Sequence, residues 1–222
     1  MTEAAPDTIP IFPLSNVVLF PTISVPLFIF EPRYRQLVQD ALEGDRRIGM
    51  VAVRPGHEDE MAGDPPVFPI GCEGSITHSE RRPDGTWNLL LGATRRFRIV
   101  EEPPRPGERL YRTAVVETLD EQPGDADRMR ALRCEIRDGL EDLLARVAGD
   151  DDGPPPLERL DELDDPQFVN VLAQAIDFGV LEKQQLLEAP GHLERATTMR
   201  DLIQFRLVEI GAESARGGSR LH

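Results

Sequence analysis

Lysine is all but missing from this sequence: 24 of its 25 basic residues are arginine, and Lys183 is the exception. The shortage excludes whole chemistries. A phosphate-cradling P-loop needs Gly-x-x-x-x-Gly-Lys-Ser/Thr, whereas Lys183 sits in Glu-Lys-Gln-Gln with no glycine frame. A Ser–Lys dyad or a Schiff-base enzyme would have to recruit the same lysine, and no serine lies near it. Cysteine is scarce too. Cys72 and Cys134 are too few and too isolated for a disulfide framework, and both read as small buried hydrophobes. None of the four histidines has a second histidine at helical i+4 spacing, and no Cys-x-x-Cys is present. His57, in Gly-His-Glu-Asp-Glu, reads as part of a solvated loop. Gly-x-Ser-x-Gly and Gly-x-Gly-x-x-Gly are also missing. The expectation is a protein with no catalytic residue, no metal and no cofactor.

Long apolar runs are lacking as well. No stretch approaches the ~18 residues of a membrane span, and the amino terminus MTEAAPDTIP has neither a basic nor an apolar leader region. A soluble cytoplasmic protein is expected. Positive charge is in deficit, with a formal net charge of −15. Residues 1–118 carry 17 acids and 13 arginines, while residues 119–222 carry 23 acids and 12 bases, the excess falling between Asp120 and Asp165. Such a field repels nucleic acid and anionic lipid, which argues against a general polyanion partner or a membrane. A chain of this length buries roughly 70–75% of its unfolded surface and needs no disulfide or metal to hold a core.

What is present divides into strands first and helices after, an α+β pattern. Ile9–Phe12, Asn16–Phe20 and Val25–Phe30 are short apolar runs broken by Pro13, Pro21 and Pro26, as expected of short, bent or edge strands. Tyr34, Leu37, Val38, Ala41 and Leu42 then recur at spacings of three and four. With Pro32 in the first turn and Gly44 after the last, they predict one inserted helix, Pro32–Glu43. Strands resume at Arg47–Val53, Ile70–Glu80, Thr86–Leu91, Arg95–Glu101 and Tyr111–Leu119. Asp84-Gly85 marks a hairpin turn, and Gly92 a tight connection. Turn signals every 8–12 residues point to a small barrel or sandwich over residues 1–119.

The rest, 120–211, reads as a helical bundle. Met129, Leu132, Ile136, Leu140, Leu143 and Val147 mark one face of a helix of about 22 residues, ended by Gly149 and the Asp/Gly/Pro run 150–156. Asp165 reads as an N-cap with Pro166 behind it, a shorter helix covers Leu181–Glu188, and a last helix starts near Gly191. Residues 212–222 have the composition of a disordered tail.

Several strings go further. PIFPLSNVVLFPTISVPLFIFEPRYRQLVQDALE (10–43), GDRRIGMVAV (44–53), PIGCEGSI (69–76), RRPDGTWNLLLGATRRFRIV (81–100) and YRTAVVETL (111–119) come first. The helical half adds DPQFVNVLAQAIDFGVLEKQQLLEAPGHLERATTMRDLI (165–203). Pro-Leu-x-x-x-Val-Leu-Phe-Pro (13–21), Pro-Leu-x-x-Phe-x-x-Arg-Tyr (26–34) and QQLLE (184–188) are its most specific features. Together these resemble the N-terminal substrate-binding domain of Lon-type ATP-dependent proteases, in a free-standing form, over about residues 9–210. The resemblance implies a PUA-like β pseudo-barrel followed by a helical bundle. It also implies recognition of polypeptide substrates rather than their cleavage, with a separate protease or chaperone as a conceivable recipient.

Two candidate surfaces follow. A polypeptide binder should expose apolar groups, because unfolded segments are held chiefly by removing such surface from water. Phe12, Leu14, Phe20, Ile23, Phe28 and Phe30 are the candidates, and the prolines among them could leave a strand edge open to an added strand. The alternative is a nucleic-acid or phosphate binder built on an arginine patch of Arg81, Arg82, Arg95, Arg96 and Arg98. Intramolecular pairing of those arginines with Glu31, Glu101 or Glu117 is the competing expectation.

Overall fold

The computed structural model describes residues 7–147 and 157–218. It is α+β and forms two compact units. One comprises the chain up to Asp120 together with Gln174–Glu188, the other Glu121–Ala173 and the chain from Ala189 on.

The first unit carries six strands: β1 (Asp7–Leu14), β2 (Ser24–Ile29), β3 (Arg47–Ala52), β4 (Ile70–Arg81), β5 (Trp87–Glu101) and β6 (Arg112–Leu119). They pair in the order β2-β5-β4-β3-β1-β6, and a further β5–β6 pairing closes five of them into a ring. All pairings are antiparallel except β1 with β3. Only β2 stands outside the ring, hydrogen-bonded to β5 alone. Ile9, Ile11, Val51, Phe97, Ala114 and Val116 fill the centre, alternating along their strands with outward residues as the period of two requires. Helix α1 (Pro32–Glu43) falls where the spacing predicts it, with Pro32 in its first turn and Tyr34, Leu37, Val38 and Ala41 buried. Tyr34 packs edge-on against Phe12, their ring centroids 4.3 Å apart.

The sequence-based expectations need correction at several points. Asn16–Phe20 is not a strand: Val18, Leu19 and Phe20 are buried in succession, without the alternation a half-buried strand shows. Gly92 is not a connection either, because β5 runs through it. The register slips between Glu73 and Gly74 and between Ile76 and His78 absorb the irregularity, and a Cβ at Gly92 would come within 3.2 Å of Thr77 Cγ2. Helix α4 (Val180–Glu188), expected in the bundle, belongs to the sheet unit. There Gln184 Nε2 donates to the Ile70 carbonyl at 3.0 Å, and Arg96 Nη1 donates to the Leu187 carbonyl at 2.9 Å. Lys183 lies on the same helix, donating to the Gln174 carbonyl at 3.0 Å, and desolvation draws its pKa below the ordinary value.

The second unit is built from α2 (Ala126–Val147), α3 (Asp165–Ala175, up to Ala173) and α5 (His192–Gly218). Met129, Leu132, Ile136 and Leu140 of α2 and Ala196, Met199 and Ile203 of α5 are buried as their helical spacing predicts, and Phe168, Val169 and Leu172 of α3 join them. Gly139 lets the two long helices approach, since a Cβ there would lie 2.9 Å from Ile203 Cγ2. The cap of α3 is Asp164 rather than Asp165: its Oδ1 accepts from Gln167 N and its carbonyl from Phe168 N, both at 2.8 Å. Cys134 is exposed, not buried, because it falls off the apolar stripe of α2; Cys72 is buried as expected. Helix α5 continues to Gly218, past the start of the tail expected from composition. The expected stop at 149–156 and residues 219–222 lie outside the described residues, as does the side chain of Val147. No described helix is long and apolar enough to cross a membrane.

An ion-pair network ties β1, β3, β4 and β5. Arg47 grips Asp7 through two bonds of 2.8 and 2.9 Å and also holds Asp45, while buried Glu73 accepts from Arg47 and Arg95. The bond from Arg47 holds the Asp7 carboxyl below its usual range, against the opposing effect of burial. A lowered folded pKa stabilises above the unfolded value, near ~3.9, and that stability fades as pH falls through the folded value. Asp7→Asn should therefore lower stability at pH 7 by under about 1 kcal/mol, the pair being part-exposed. Between pH 5 and 3 its urea-denaturation midpoint should fall less steeply than that of the parent protein. A variant with an unchanged acid limb would show that Asp7 does not contribute to it.

Candidate functional site

Strand β2 begins after Thr22, whose N–H donates to the Ala93 carbonyl, and runs antiparallel to the first half of β5. Its side chains alternate: Ile29 is buried and Val25 and Leu27 half-buried, while Ser24, Pro26 and Phe28 face out. Phe28 is 51% exposed and Phe30, two residues on, 60%. Their rings lie side by side, centroids 6.1 Å apart and planes tilted by 31°. The register sets Pro26 opposite Leu90 and Phe28 opposite Asn88, so Leu90, also exposed, extends the apolar face across the strand pair. The Arg82 guanidinium stands 5.7 Å over the Phe28 ring, and Asn88 donates to Glu80 beside it. The result is an apolar strip with a polar rim, next to the unpaired edge of the terminal strand.

The six apolar candidates separate. Phe28 and Phe30 are on this strip. Phe12 and Phe20 are buried, Phe20 completely, and so are part of the core rather than of any surface. Leu14 and Ile23 are half-buried. Leu90 and Pro26 were not among the candidates; only the β2–β5 register brings them beside Phe28.

The arginines do not gather. Arg96 is buried and spends its guanidinium on the carbonyl of Leu187. Arg95 reaches Glu73 at 3.2 Å and Asp7 at 3.4 Å, so intramolecular pairing holds, with acids other than the three expected. Arg98 is exposed, while Arg81 stacks over Trp87 and Arg82 over Phe28. No continuous basic surface results from these five. Among the described residues no cluster of His, Cys, Asp and Glu is placed to hold a metal; His57 is exposed and bonded to Glu60.

The chain matches the family model described as the ATP-dependent protease La (LON) substrate-binding domain, over residues 8–204. The Lon protease of Parabacteroides distasonis is 30% identical over 218 residues, which is 95% of this chain and 25% of that protein. The Lon protease of Dictyoglomus thermophilum is 34% identical over 125 residues, 54% of this chain and 15% of that protein. The chain thus spans about a quarter or less of the length of these relatives. The N-terminal domain of Mycobacterium avium complex Lon protease superposes with a TM-score of 0.67 at 17% identity, covering 89% of this chain and 98% of that one. A Lon N-terminal domain protein from Xanthomonas campestris gives 0.59 at 22% identity, covering 87% and 96%. At those identities the superpositions speak for the fold, and the family model extends through both units: the chain belongs to the LON substrate-binding domain family.

Proposed function

We propose that this chain is a non-catalytic polypeptide-binding module that captures exposed apolar segments of unfolded or partly folded proteins on the Phe28–Phe30 strip. The closed sheet with its inserted helix acts as a PUA-like pseudo-barrel that presents the strip preformed. No cofactor takes part, the setting is the cytoplasm, and captured chains pass to a separate protease or chaperone. The observation that carries this reading is a pair of neighbouring phenylalanines, each more than half exposed, one on the strand that closes no ring and one just past its end. Two aromatic rings held in water beside an open strand edge are costly unless a partner covers them. The edge offers backbone hydrogen bonds to an extended segment and the rings offer side-chain burial, the combination used in strand addition.

Phe28→Ser with Phe30→Ser tests it. Neither ring is in the core, so the melting temperature should stay within a few degrees of the parent. Binding of fluorescein-labelled denatured β-casein, read by anisotropy, should weaken about 30-fold, the equivalent of about 2 kcal/mol of lost apolar burial. Saturating casein should also slow hydrogen exchange of the β2 amides. Unchanged casein affinity in the double variant would refute the strip as the docking face.

A further inference from the structure

A cleft of about 270 Å³ opens between α1 and the β4–β5 hairpin, lined by Pro32, Arg35, Gln36, Gln39, Arg81 and Trp87, with Gly85 at its rim. Its α1 residues follow closely on the Phe28–Phe30 strip in sequence. In the β2–β5–β4 register, Trp87 lies opposite both Ile29 and Arg81. The chemistry here differs from the strip. Two guanidiniums enter one small space, on a chain whose net charge is −15.

Neither guanidinium is neutralised. The Arg35 guanidinium makes no hydrogen bond or ion pair with any described residue, and the Arg81 guanidinium stands against the Trp87 ring, 5.8 Å from its centre. Four acids on or beside the flanking elements are held by other groups. Glu31 pairs with Arg33, Asp40 accepts from the Tyr111 hydroxyl, and Glu80 accepts from Asn88. Asp84 is held by the hydroxyl and N–H of Thr86, which lower its pKa. Gln36 is anchored by Leu110 N on its oxygen. The turn is shaped to admit Arg35: the three-residue loop closes through Arg82 N to Thr86 O, and Gly85 adopts φ +81°. A Cβ at Gly85 would collide with the Arg35 guanidinium.

We infer that this cleft binds a carboxylate of the captured polypeptide, either its C-terminal group or an Asp or Glu side chain, with Arg35 and Arg81 as the two donors. The inference deepens the polypeptide-binding reading and rests on it. Guanidinium forks match the two oxygens of a carboxylate, and charge-assisted bonds of this kind are the stronger ones. The volume fits one carboxylate with its side chain, and the surrounding acidity disfavours a polyphosphate backbone. A segment would thus place apolar residues on Phe28 and Phe30 and its carboxylate in the adjoining cleft.

Trp87 is the only tryptophan of the chain, so its emission reports the cleft directly. The full chain would be titrated with acetyl-Ala-Leu-Phe-Leu-Ala bearing a free C-terminal carboxylate, with its C-terminal amide, and with an amide carrying one internal Asp. The free acid should shift Trp87 emission saturably, and the plain amide should bind about tenfold more weakly. Arg35→Gln and Arg81→Gln should each cost about tenfold for the acid and nothing for the amide, and Arg35→Lys should recover part of the loss. High salt should weaken the acid alone. Equal binding of the Asp-containing amide would assign the carboxylate to a side chain; binding by the free acid alone would assign it to the C-terminus. Equal affinity for all three peptides, or Gln variants that bind the acid like the parent, would overturn the inference. So would oligouridylate shifting Trp87 in an Arg35-dependent way while the acid peptides do not. The casein experiment on the Phe28/Phe30 variant is read separately, so failure of the cleft leaves the strip standing, and the reverse is equally visible.

Discussion

Arg195→Ala should destabilise the helical unit by about 3–5 kcal/mol, the cost of breaking a buried charged pair from one side. Arg195 is the largest fully buried side chain among the described residues, with 0% exposure. Its Nη1 donates to Asn170 Oδ1 at 2.8 Å and its Nη2 to Glu121 Oε1 at 3.0 Å. Asn170 is itself buried, so truncation leaves a desolvated amide oxygen and a half-exposed carboxylate short of their donor, beside a cavity the length of an arginine. Arg195→Met separates the two costs: it restores most of the volume and none of the bonds, and should recover only the cavity part. Arg195→Lys should also fall short, because a single ammonium cannot span two acceptors held by a fork. Urea denaturation followed by helical circular dichroism, with hydrogen exchange of the α3 and α5 amides, measures the loss. An alanine variant within 0.5 kcal/mol of the parent would mean that Arg195 is dispensable.

No sequence pattern announces Arg195. It sits one residue before Ala196, at the edge of an apolar stripe, and reads as a solvated flank. What makes it buried is Asn170, 25 residues earlier, and Glu121, 74 residues earlier, and both are beyond the reach of local periodicity. The same reason explains the arginine patch. Arg96 alternates correctly along β5, yet the carbonyl that covers it comes from Leu187, 91 residues on. That contact also moves α4 to the sheet unit, which its apolar spacing cannot disclose. Helix α1 was legible because every signal that defines it is local: proline in the first turn, spacings of three and four, glycine after the last turn. The strand at β2 was legible as a short apolar run broken by prolines, but not which of its side chains face out. Telling Phe28 and Phe30 from Phe12 and Phe20 was not possible, because it depends on which strand closes no ring. Asn16–Phe20 looked like a strand because four consecutive apolar residues, Val17 to Phe20, satisfy composition without period. The cleft at Trp87 had half a signal in Arg81-Arg82 beside the Asp-Gly turn. Its other half, Arg35, lies on a helix that sequence alone does not bring there.

Gly71→Ala should cost the sheet unit about 3 kcal/mol, a large penalty for one methyl group. Gly71 lies opposite Phe97 on the neighbouring strand, and a Cβ there would come 2.7 Å from Phe97 Cζ, 2.7 Å from Val51 Cγ1 and 2.5 Å from the Met50 carbonyl oxygen. Gly49 is equally tight: a Cβ would lie 2.8 Å from both Phe97 Cζ and Ile9 Cδ1. One buried ring therefore occupies the space two side chains would need, and the ring's own removal is expensive. Phe97→Ala should cost about 3–5 kcal/mol by exposing a cavity among Ile9, Ile11, Val51 and Val116. The two changes are coupled. In Gly71→Ala with Phe97→Leu the shorter side chain gives up the Cζ contact, so the double variant should be more stable than the sum of the singles by about 1 kcal/mol. Recovery stays partial, because the Met50 carbonyl is backbone, held in the β3–β4 ladder, and cannot rotate away. Thermal unfolding of the four proteins closes the cycle. Strict additivity, or a Gly71→Ala variant as stable as the parent, would show that the ring does not rest on these glycines.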